Sequence, residues 1–148
     1  MSTNIHIQHE DFDVADEIAA LSGDEIGAVA SFVGSVRGGD GLLSLTLEHY
    51  PGMTEREIGR IAEEARARWK PASITIIHRI GRLTVGERIV LVAVAAAHRG
   101  DAFEACQFLM DYLKTRAPFW KQEERGGATQ WVEAKTSDDA AAERWRKR

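Results

Sequence analysis

The sequence predicts a single α+β domain with a mixed or antiparallel sheet and flanking helices. Its 148 residues are the size of one domain, so residues 1–148 are expected to fold together. The 44% hydrophobic and 28% charged residues are proportions typical of a globular protein, which excludes a disordered or fibrous chain. Short β-rich segments alternate with amphipathic helical segments, and this alternation favours the α+β class.

The first half of the chain predicts three strands and two helices. Ile5 and Ile7 indicate a short edge strand, residues 13–21 a helix, and residues 27–36 and 43–48 two strands joined as a hairpin by the glycine-rich turn 38–41. Thr54 and Glu57 form a T-x-x-E pattern typical of a capping box, which predicts the start of a second helix. Pro71 ends that helix.

The second half predicts two central strands, over 73–80 and 88–96, because both are almost continuously apolar and rich in β-branched residues. Residues 81–87 are expected to be a connecting loop. A helix is expected from Asp101 until shortly before Pro118. Its predicted apolar face consists of Phe103, Cys106, Met110 and Leu113. Residues 130–135 indicate a last strand, and residues from 137 onward a terminal helix.

Charge and composition exclude several classes of protein. A net charge of −4 disfavours a protein whose main ligand is nucleic acid. The longest apolar run, residues 89–97, is far shorter than the roughly 20 residues that span a bilayer. The first residues lack the basic and apolar regions of a secretion signal. The single cysteine cannot form an internal disulfide. We therefore expect a soluble protein of a reducing compartment that binds neither membranes nor nucleic acid.

Two positively charged segments are candidates for anion binding. His98 and Arg99 follow a predicted central strand and precede a helix, where backbone N–H groups and the helix dipole favour negative charge. A connecting turn with solvated charges is the alternative, and position alone does not separate the two. Arg37 lies where a strand enters the glycine-rich turn. The glycine spacing matches neither a P-loop nor a dinucleotide-binding motif, so we interpret this segment as a hairpin turn able to close over a ligand.

Lys114 and Lys121 flank a Pro118-Phe119-Trp120 segment. The two aromatic residues could form an apolar floor that suits a flat heterocycle. An environment of low dielectric would also lower the pKa of a lysine and make it usable in proton transfer or as a nucleophile. The alternative is that Phe119 and Trp120 are core residues and both lysines are solvated.

The histidines and the cysteine predict neither a metal centre nor a bound cofactor. No pair among the five histidines has the H-x-x-x-H or H-E-x-x-H spacing of a metal site. His78 lies within an apolar strand and is interpreted as a core histidine. Cys106 lies on an apolar helical face, where burial would raise its pKa and block access, so we do not expect it to be a nucleophile.

Several segments together carry a family resemblance. They are FVGSVR (32–37), LTLEHYPGMTE (45–55), IHRIGRLTVGE (77–87), VLVAVAAAHRGDAFEAC (90–106), FLMDYLKTRAPFWKQE (108–123) and WVEAK (131–135). On these motifs the chain resembles the large, catalytic subunit of molybdopterin synthase. Residues 1–26, 38–42 and 124–130 carry no pattern that can be matched to the family.

The resemblance implies an α/β hammerhead-type fold and a cytoplasmic sulfurtransferase of molybdenum cofactor biosynthesis. In this family, sulfur moves from the C-terminal thiocarboxylate of a small ubiquitin-like partner to cyclic pyranopterin monophosphate, which forms the dithiolene of molybdopterin. Two large subunits form the central dimer of a heterotetramer. The absence of a plausible catalytic thiol agrees with this scheme, because the sulfur then has to arrive already activated.

The resemblance also implies roles for individual residues. Lys114 and Lys121 correspond to the catalytic lysines, with Lys114 nearest the partner's terminal carbonyl. One lysine would stabilise an oxyanion and the other would aid proton transfer. The sequence does not assign the two roles to the individual lysines. The remaining expected contacts to substrate are Ser35, Val36, Arg37, His98, Arg99, Gln122 and Glu123. Lys135 is a candidate to reach the neighbouring protomer's site.

Two alternative functions remain open at this point. The first is a non-catalytic regulatory module that binds a pterin or a nucleotide in the same pocket of arginine and histidine residues. The second is an interaction subunit that binds the ubiquitin-like partner without turnover. The presence of both lysines together with Arg37, His98 and Arg99 favours the enzyme.

Overall fold

A computed structural model describes residues 2–132 and 136–146, except for the side chains of residues 136 and 137. The described chain contains two four-stranded sheets and four helices. In chain order the elements are β1 (Ser2–Gln8), α1 (Val14–Ala19), β2 (Ala28–Ser35), β3 (Leu42–His49), α2 (Met53–Trp69), β4 (Ser73–Arg79), β5 (Gly81–Thr84), β6 (Arg88–Ala96), α3 (Arg99–Thr115), β7 (Phe119–Arg125), β8 (Ala128–Val132) and α4 (Thr136–Glu143). The α+β class is confirmed, whereas the sequence did not predict the division into two sheets.

The first sheet has the strand order β1-β4-β6-β2. Strand β1 runs parallel to β4, and the other neighbours are antiparallel, so the sheet is mixed. Its two central strands, β4 and β6, are the two predicted from continuous apolar sequence. They are buried on both faces: Ile74 and Ile76 belong to the core that includes α2 and α3, while Ile77 and Leu91 pack in a second cluster with Phe12. Burial on both faces explains why neither strand shows polar alternation.

The second sheet is antiparallel, with the order β5-β3-β7-β8. It meets the end of the first sheet through a small cluster that consists of Val36, Leu45, Leu47 and Leu83. Val36 directly follows β2 and therefore joins the two sheets covalently as well as by packing. This junction is where the two sheets enclose the cavities described below.

The predicted hairpin between β2 and β3 is wrong. Strand β2 pairs with β6 in the first sheet, and β3 pairs with β5 and β7 in the second. The intervening glycines carry the chain between sheets, with positive φ at Gly39 and Gly41. The predicted loop over 81–87 is also wrong, because Gly81–Thr84 is strand β5 and its Leu83 is 1% exposed. The hairpin prediction was wrong because alternation of apolar residues predicts a strand but not the strand with which it pairs. Strand β5 was not predicted because four residues are too few to show alternation.

The capping box predicted from Thr54 and Glu57 is wrong as well. Helix α2 is preceded by Gly52, whose N–H donates to Oε1 of Glu55 at 2.8 Å, so the capping carboxylate comes two residues earlier than predicted. Glu57 instead accepts hydrogen bonds from Arg116, which follows α3. A capping carboxylate is present, but it belongs to Glu55, while Thr54 and Glu57 also contact Pro118 and Arg116 far along the chain.

Thr54 joins α2 to the segment before β7. Its hydroxyl accepts a hydrogen bond from the Tyr50 N–H at 2.9 Å and donates to the Pro118 carbonyl at 2.8 Å. The residue is completely buried. Because α2 already begins at Met53, Thr54 lies inside the helix, and its hydroxyl bonds to groups outside the helix rather than capping it.

Helix α3 begins at Arg99 and ends at Thr115, so Pro118 follows its end as predicted. Cys106, Met110 and Leu113 are buried, in agreement with the predicted apolar face. Phe103 is 65% exposed and does not belong to that face. The buried residues of α3 form a wide stripe, and Phe103 falls outside it.

The last strand and the last helix match the predicted types of element. Strand β8 spans Ala128–Val132, and residues 133–135 of the predicted strand lie outside the described residues. Strand β7 was missed. The predicted terminal helix is α4, after which Trp145 is 2% exposed and donates through Nε1 to Asp111 at 2.7 Å. None of the helices in the described ranges has the length and apolar character needed to cross a membrane.

Candidate active site

Two adjoining cavities lie between α3, β7 and the junction of the sheets. They share five lining residues, Leu47, His78, Leu113, Lys114 and Lys121, and together we name them the lysine cleft. The smaller cavity has a volume of about 120 Å³ and the larger about 330 Å³. The structure thus brings the two lysines of the sequence analysis to one cleft from two different elements.

Strand geometry explains how Lys121 reaches the cleft. Lys121 pairs with Leu47 and Glu123 pairs with Leu45 across β7 and β3, and both leucines line the larger cavity. Successive residues of a strand point to opposite faces, so Lys121 and Glu123 share the face of β7 nearest the cleft. Lys114 comes from the last turn of α3, where a positive charge is also favoured by the helix dipole.

Aromatic and aliphatic side chains form the walls of the lysine cleft. Phe119 lines the smaller cavity and stacks on His78, with ring centroids 3.9 Å apart and planes 16° apart. Phe32 and Met110 line the larger cavity. Trp120 points to the opposite face of β7 and packs on Trp131, with centroids 4.7 Å apart. The apolar floor expected from Phe119 and Trp120 therefore contains only Phe119 of the pair.

His78 is a cleft residue that the sequence analysis treated as part of the core. Its Nδ1 lies 2.8 Å from the Arg79 carbonyl oxygen. Desolvation by burial is the main cause that lowers the pKa of His78 to about 4, and the positive charge of Lys114 lowers it further. The missed signal was strand alternation, because His78 shares a face of β4 with Ile74 and Ile76, which pack toward α3.

Asp138 of α4 also lines the smaller cavity and was not predicted. It brings a carboxylate to the cleft that contains the two lysines. No local motif marks this residue. Its position depends on how the C-terminal segment packs on α3. Trp145 and Arg144 of that segment donate hydrogen bonds to Asp111 of α3.

The end of β2 also reaches the lysine cleft. Ser35 lines the larger cavity. Val36 is buried in the cluster between the sheets, and its N–H donates to the Glu87 carbonyl at 2.9 Å, so its side chain contributes to packing. Arg37 is exposed and follows directly. Of the residues expected at this end, Ser35 is the one that lines a cavity.

His98 and Arg99 lie at the opposite end of the first sheet. In the β2–β6 register, Ala28 pairs with Ala96 and Ser35 with Arg88. Seven residues of strand separate these ends by about 23 Å. Along α3, the 15-residue separation between Arg99 and Lys114 corresponds to about 22 Å.

Within one chain, Arg37 therefore lies at the opposite end of the first sheet from His98 and Arg99, and their joint contact with one phosphate stays a prediction. The physical reason is the antiparallel pairing of β2 with β6, which places the end of each strand beside the start of the other.

The remaining predicted residues lie on either side of β7 or outside the described chain. Gln122 occupies the face opposite Lys121 and pairs with Trp131 of β8. Glu123 shares the face of Lys121 and forms an ion pair with Arg125. Lys135 lies outside the described residues.

Comparison with known proteins identifies the family. Residues 7–116 match the family model described as MoaE protein. The chain belongs to the MoaE family. A "Molybdopterin synthase catalytic subunit" from Mesorhizobium japonicum is 57% identical, and the match covers 99% of this chain and 95% of that relative.

Solved structures of MoaE relatives share the fold. The "Molybdopterin biosynthesis MoaE protein" from Burkholderia ambifaria is 51% identical with a TM-score of 0.85, and the match covers 97% of this chain and 98% of that one. A structure of "Molybdopterin Synthase" from Staphylococcus aureus is 29% identical with a TM-score of 0.81, and the match covers 86% of this chain and 96% of that one. The two-sheet architecture is thus the MoaE fold.

The cysteine of this MoaE chain is packed. Cys106 is buried, and its Sγ lies 3.8 Å from the Val92 carbonyl oxygen. Burial raises the pKa of the thiol to about 11. Among the described residues, no three His, Cys, Asp or Glu side chains are grouped in a way that could hold a metal ion. The polar groups that line the lysine cleft are two amines, an imidazole, a carboxylate and the hydroxyl of Ser35.

Proposed function

We propose that this chain is the catalytic subunit of a molybdopterin synthase. It transfers sulfur from the C-terminal thiocarboxylate of a small ubiquitin-like partner to cyclic pyranopterin monophosphate in the cytoplasm, and so forms the dithiolene of molybdopterin. The observation that carries the proposal is the lysine cleft, in which Lys114 and Lys121 line the same cavities in a chain of the MoaE family. The whole chain acts as one domain, and two copies form the centre of a heterotetramer.

The two ammonium groups suit the charge that develops during sulfur transfer. A thiocarboxylate is an anion, and its carbonyl oxygen becomes more negative when the acyl carbon is attacked. The thiocarboxylate sulfur first displaces an oxygen substituent of the pterin side chain. Water then attacks the acyl carbon, the acyl–sulfur bond breaks, and the partner is released as a carboxylate. Lys114 lies nearest the acyl group. One lysine stabilises the oxyanion and the other exchanges the proton, and the apolar walls strengthen both interactions.

Two of the residues expected to bind the substrate phosphate, His98 and Arg99, do not reach the lysine cleft of their own chain. His98 and Arg99 are about 22 Å from Lys114 along α3, which supports a site completed by the second copy of the chain. Arg37 approaches from the same chain as the lysines, after Ser35 at the cavity edge. Guanidinium groups bind a phosphate dianion by charge-assisted hydrogen bonds, which are about twice as strong as neutral ones.

The other proposed contacts are weaker or more distant. Ser35 contacts the substrate from the cavity edge. Val36 has a buried side chain, and its N–H and carbonyl are bonded to Glu87 and Gly86, so it acts by positioning Ser35. Glu123 borders the cleft and orients the chain around Lys121. Gln122 contacts only a part of the substrate that lies on the face of β7 opposite Lys121. Lys135 contributes to the site of the neighbouring subunit.

Reconstitution with thiocarboxylated partner and cyclic pyranopterin monophosphate tests the proposed activity. We expect dithiolene product, and a loss of about 10²–10³-fold for Lys114→Ala. Lys70→Ala is the matched control, because Lys70 is an exposed lysine at the end of α2, and it should retain full activity. Partner binding without product would indicate an interaction subunit, and pterin binding alone a regulatory module; either result refutes the proposal. So does activity of Lys114→Ala within twofold of wild type.

Complementation between two inactive variants tests the shared site. Lys114→Ala and Arg99→Ala are each expected to be inactive as homodimers. After subunit exchange, half of the dimers are mixed, and each mixed dimer contains one site with both residues intact. We therefore expect recovery of about one quarter of wild-type activity. A site formed within one chain would give no recovery, and full activity of Arg99→Ala alone would exclude Arg99 from the site.

A further inference from the structure

His78 lines both cavities of the lysine cleft and is held in a defined orientation. Its ring stacks on Phe119 at 3.9 Å, and its Nδ1 lies 2.8 Å from the Arg79 carbonyl oxygen. A carbonyl oxygen can only accept, so Nδ1 carries the ring proton and donates it. The nitrogen left to face a bound molecule is then Nε2, with its lone pair available as an acceptor.

The surroundings keep this imidazole neutral. Burial is the main cause that lowers the pKa of His78 to about 4, and Lys114 lowers it further. A protonated His78 would add a third cation beside Lys114 and Lys121 and would lose its acceptor. At neutral pH the imidazole therefore offers a fixed acceptor in the cavities that are also lined by two lysines, which only donate.

A peptide tail ending in a thiocarboxylate presents the complementary groups. Its terminal acyl group is anionic, and the last peptide N–H lies two bonds from the acyl carbon. When such a tail enters the larger cavity, whose walls include Phe32 and Met110, this N–H loses water and requires a new acceptor. Lysine ammonium groups cannot accept, whereas a neutral imidazole can.

We propose that Nε2 of His78 accepts a hydrogen bond from the last peptide N–H of the partner's thiocarboxylate tail. This contact fixes the terminal acyl group between Lys114 and Lys121. His78 thereby becomes a further substrate-binding residue, and the inference rests on the proposed function. In this role His78 selects a ligand that has a secondary amide directly before its anionic group. A simple carboxylate or thiocarboxylate has no such amide.

Three variants separate the contacts of the ring. His78→Gln can place an amide oxygen near the position of Nε2, whereas His78→Asn can place a donor near the position of Nδ1 and has no group at Nε2. His78→Phe keeps a ring to stack on Phe119 and loses both nitrogens. The measurements are thermal unfolding, the affinity for the partner, KM for each substrate, and kcat in the reconstituted reaction.

We expect His78→Gln to bind the partner within about threefold of wild type, and His78→Asn and His78→Phe to bind it about 10- to 100-fold more weakly. KM for cyclic pyranopterin monophosphate should change little in all three variants. Near-normal partner binding by His78→Asn with loss in His78→Gln would assign the role to the Nδ1 contact and overturn the proposal. Normal partner binding by His78→Phe would also overturn the proposal. A rise confined to KM for the pterin would overturn it as well, because the donor to His78 would then be a ring N–H of the pterin.

A modified partner tests the same hydrogen bond in the wild-type protein and does not depend on folding of the variants. N-methylation of the last peptide group removes the proposed donor. Wild-type chain should lose about 10- to 100-fold in affinity for this partner, whereas His78→Asn should show little further loss. Equal binding of methylated and unmethylated tails by wild type refutes the inference. Absence of product with wild type and the unmodified partner would instead refute the proposed function itself.

Discussion

Replacing Cys106 by alanine removes the one thiol of the chain, and we expect sulfur transfer to continue at a near-normal rate. Cys106 is 7% exposed and faces the Val92 carbonyl from α3. With a thiol pKa of about 11, Cys106 is overwhelmingly protonated at pH 7.5. A group that is buried and protonated has neither the access nor the charge that a sulfur carrier needs.

The cost of the substitution should appear in stability. Cys106→Ala removes a single buried sulfur atom, so we expect a decrease of about 1 kcal/mol in the free energy of unfolding. Cys106→Ser keeps the size but buries a hydroxyl. The sulfur is already 3.8 Å from its acceptor and the C–O bond is shorter than C–S, so the hydroxyl gains no good hydrogen bond. We expect a loss of about 1–3 kcal/mol for this variant.

Two measurements check the prediction. Urea unfolding gives the stability change, and the reconstituted reaction gives turnover with thiocarboxylated partner at saturating concentration. Mass spectrometry of the wild-type chain during turnover then shows whether a persulfide forms on Cys106. Loss of transfer in Cys106→Ala that still folds and binds its partner, or accumulation of that persulfide, would refute direct delivery from the thiocarboxylate. The roles of the lysines would then have to be reassigned.

Two further predictions concern contacts that the sequence did not show. Thr54→Val should lower the unfolding free energy in urea by about 1–3 kcal/mol, because it removes the buried hydroxyl that joins the Tyr50 N–H to the Pro118 carbonyl. The control Thr54→Ser keeps the hydroxyl, and equal stability of wild type and Thr54→Val would contradict this. Hydrogen bonding from Arg116 lowers the pKa of Glu57 below its ordinary value of 4.5. The Arg116–Glu57 pair therefore stabilises the folded state fully above pH 4.5, and this stabilisation is lost as the pH falls through the lower pKa of the folded state. Arg116→Gln should reduce this loss between pH 5 and 3, as measured by urea unfolding at each pH, and an unchanged slope would show that the pair does not contribute.

Local periodicity was sufficient for the elements that are buried on a regular face. The central strands β4 and β6 follow from continuous apolar sequence, and most of the apolar face of α3, including Cys106, follows from its 3.6-residue period. These features depend on neighbouring residues, which a sequence contains in full. Phe103 is the exception on α3, because the width and direction of the buried stripe depend on what packs against the helix.

Strand pairing was not available from the sequence. β2 and β3 are adjacent in the chain and were expected to pair, yet they lie in different sheets. β5 is too short to show alternation and becomes a strand because β3 offers it an edge. Thr54 has the residue type of a helix cap but bonds to a carbonyl 64 positions away.

The sequence by itself determined the family, through motifs that include both lysines, and it determined that Cys106 belongs to an apolar helical face. Only the tertiary structure decided that His78 and Asp138 line the lysine cleft. It also separated Arg99 from that cleft, by about the length of α3. The physical reason is that a side-chain period is set by residues a few positions apart, whereas a cleft is formed where strands and helices distant in the chain pack together.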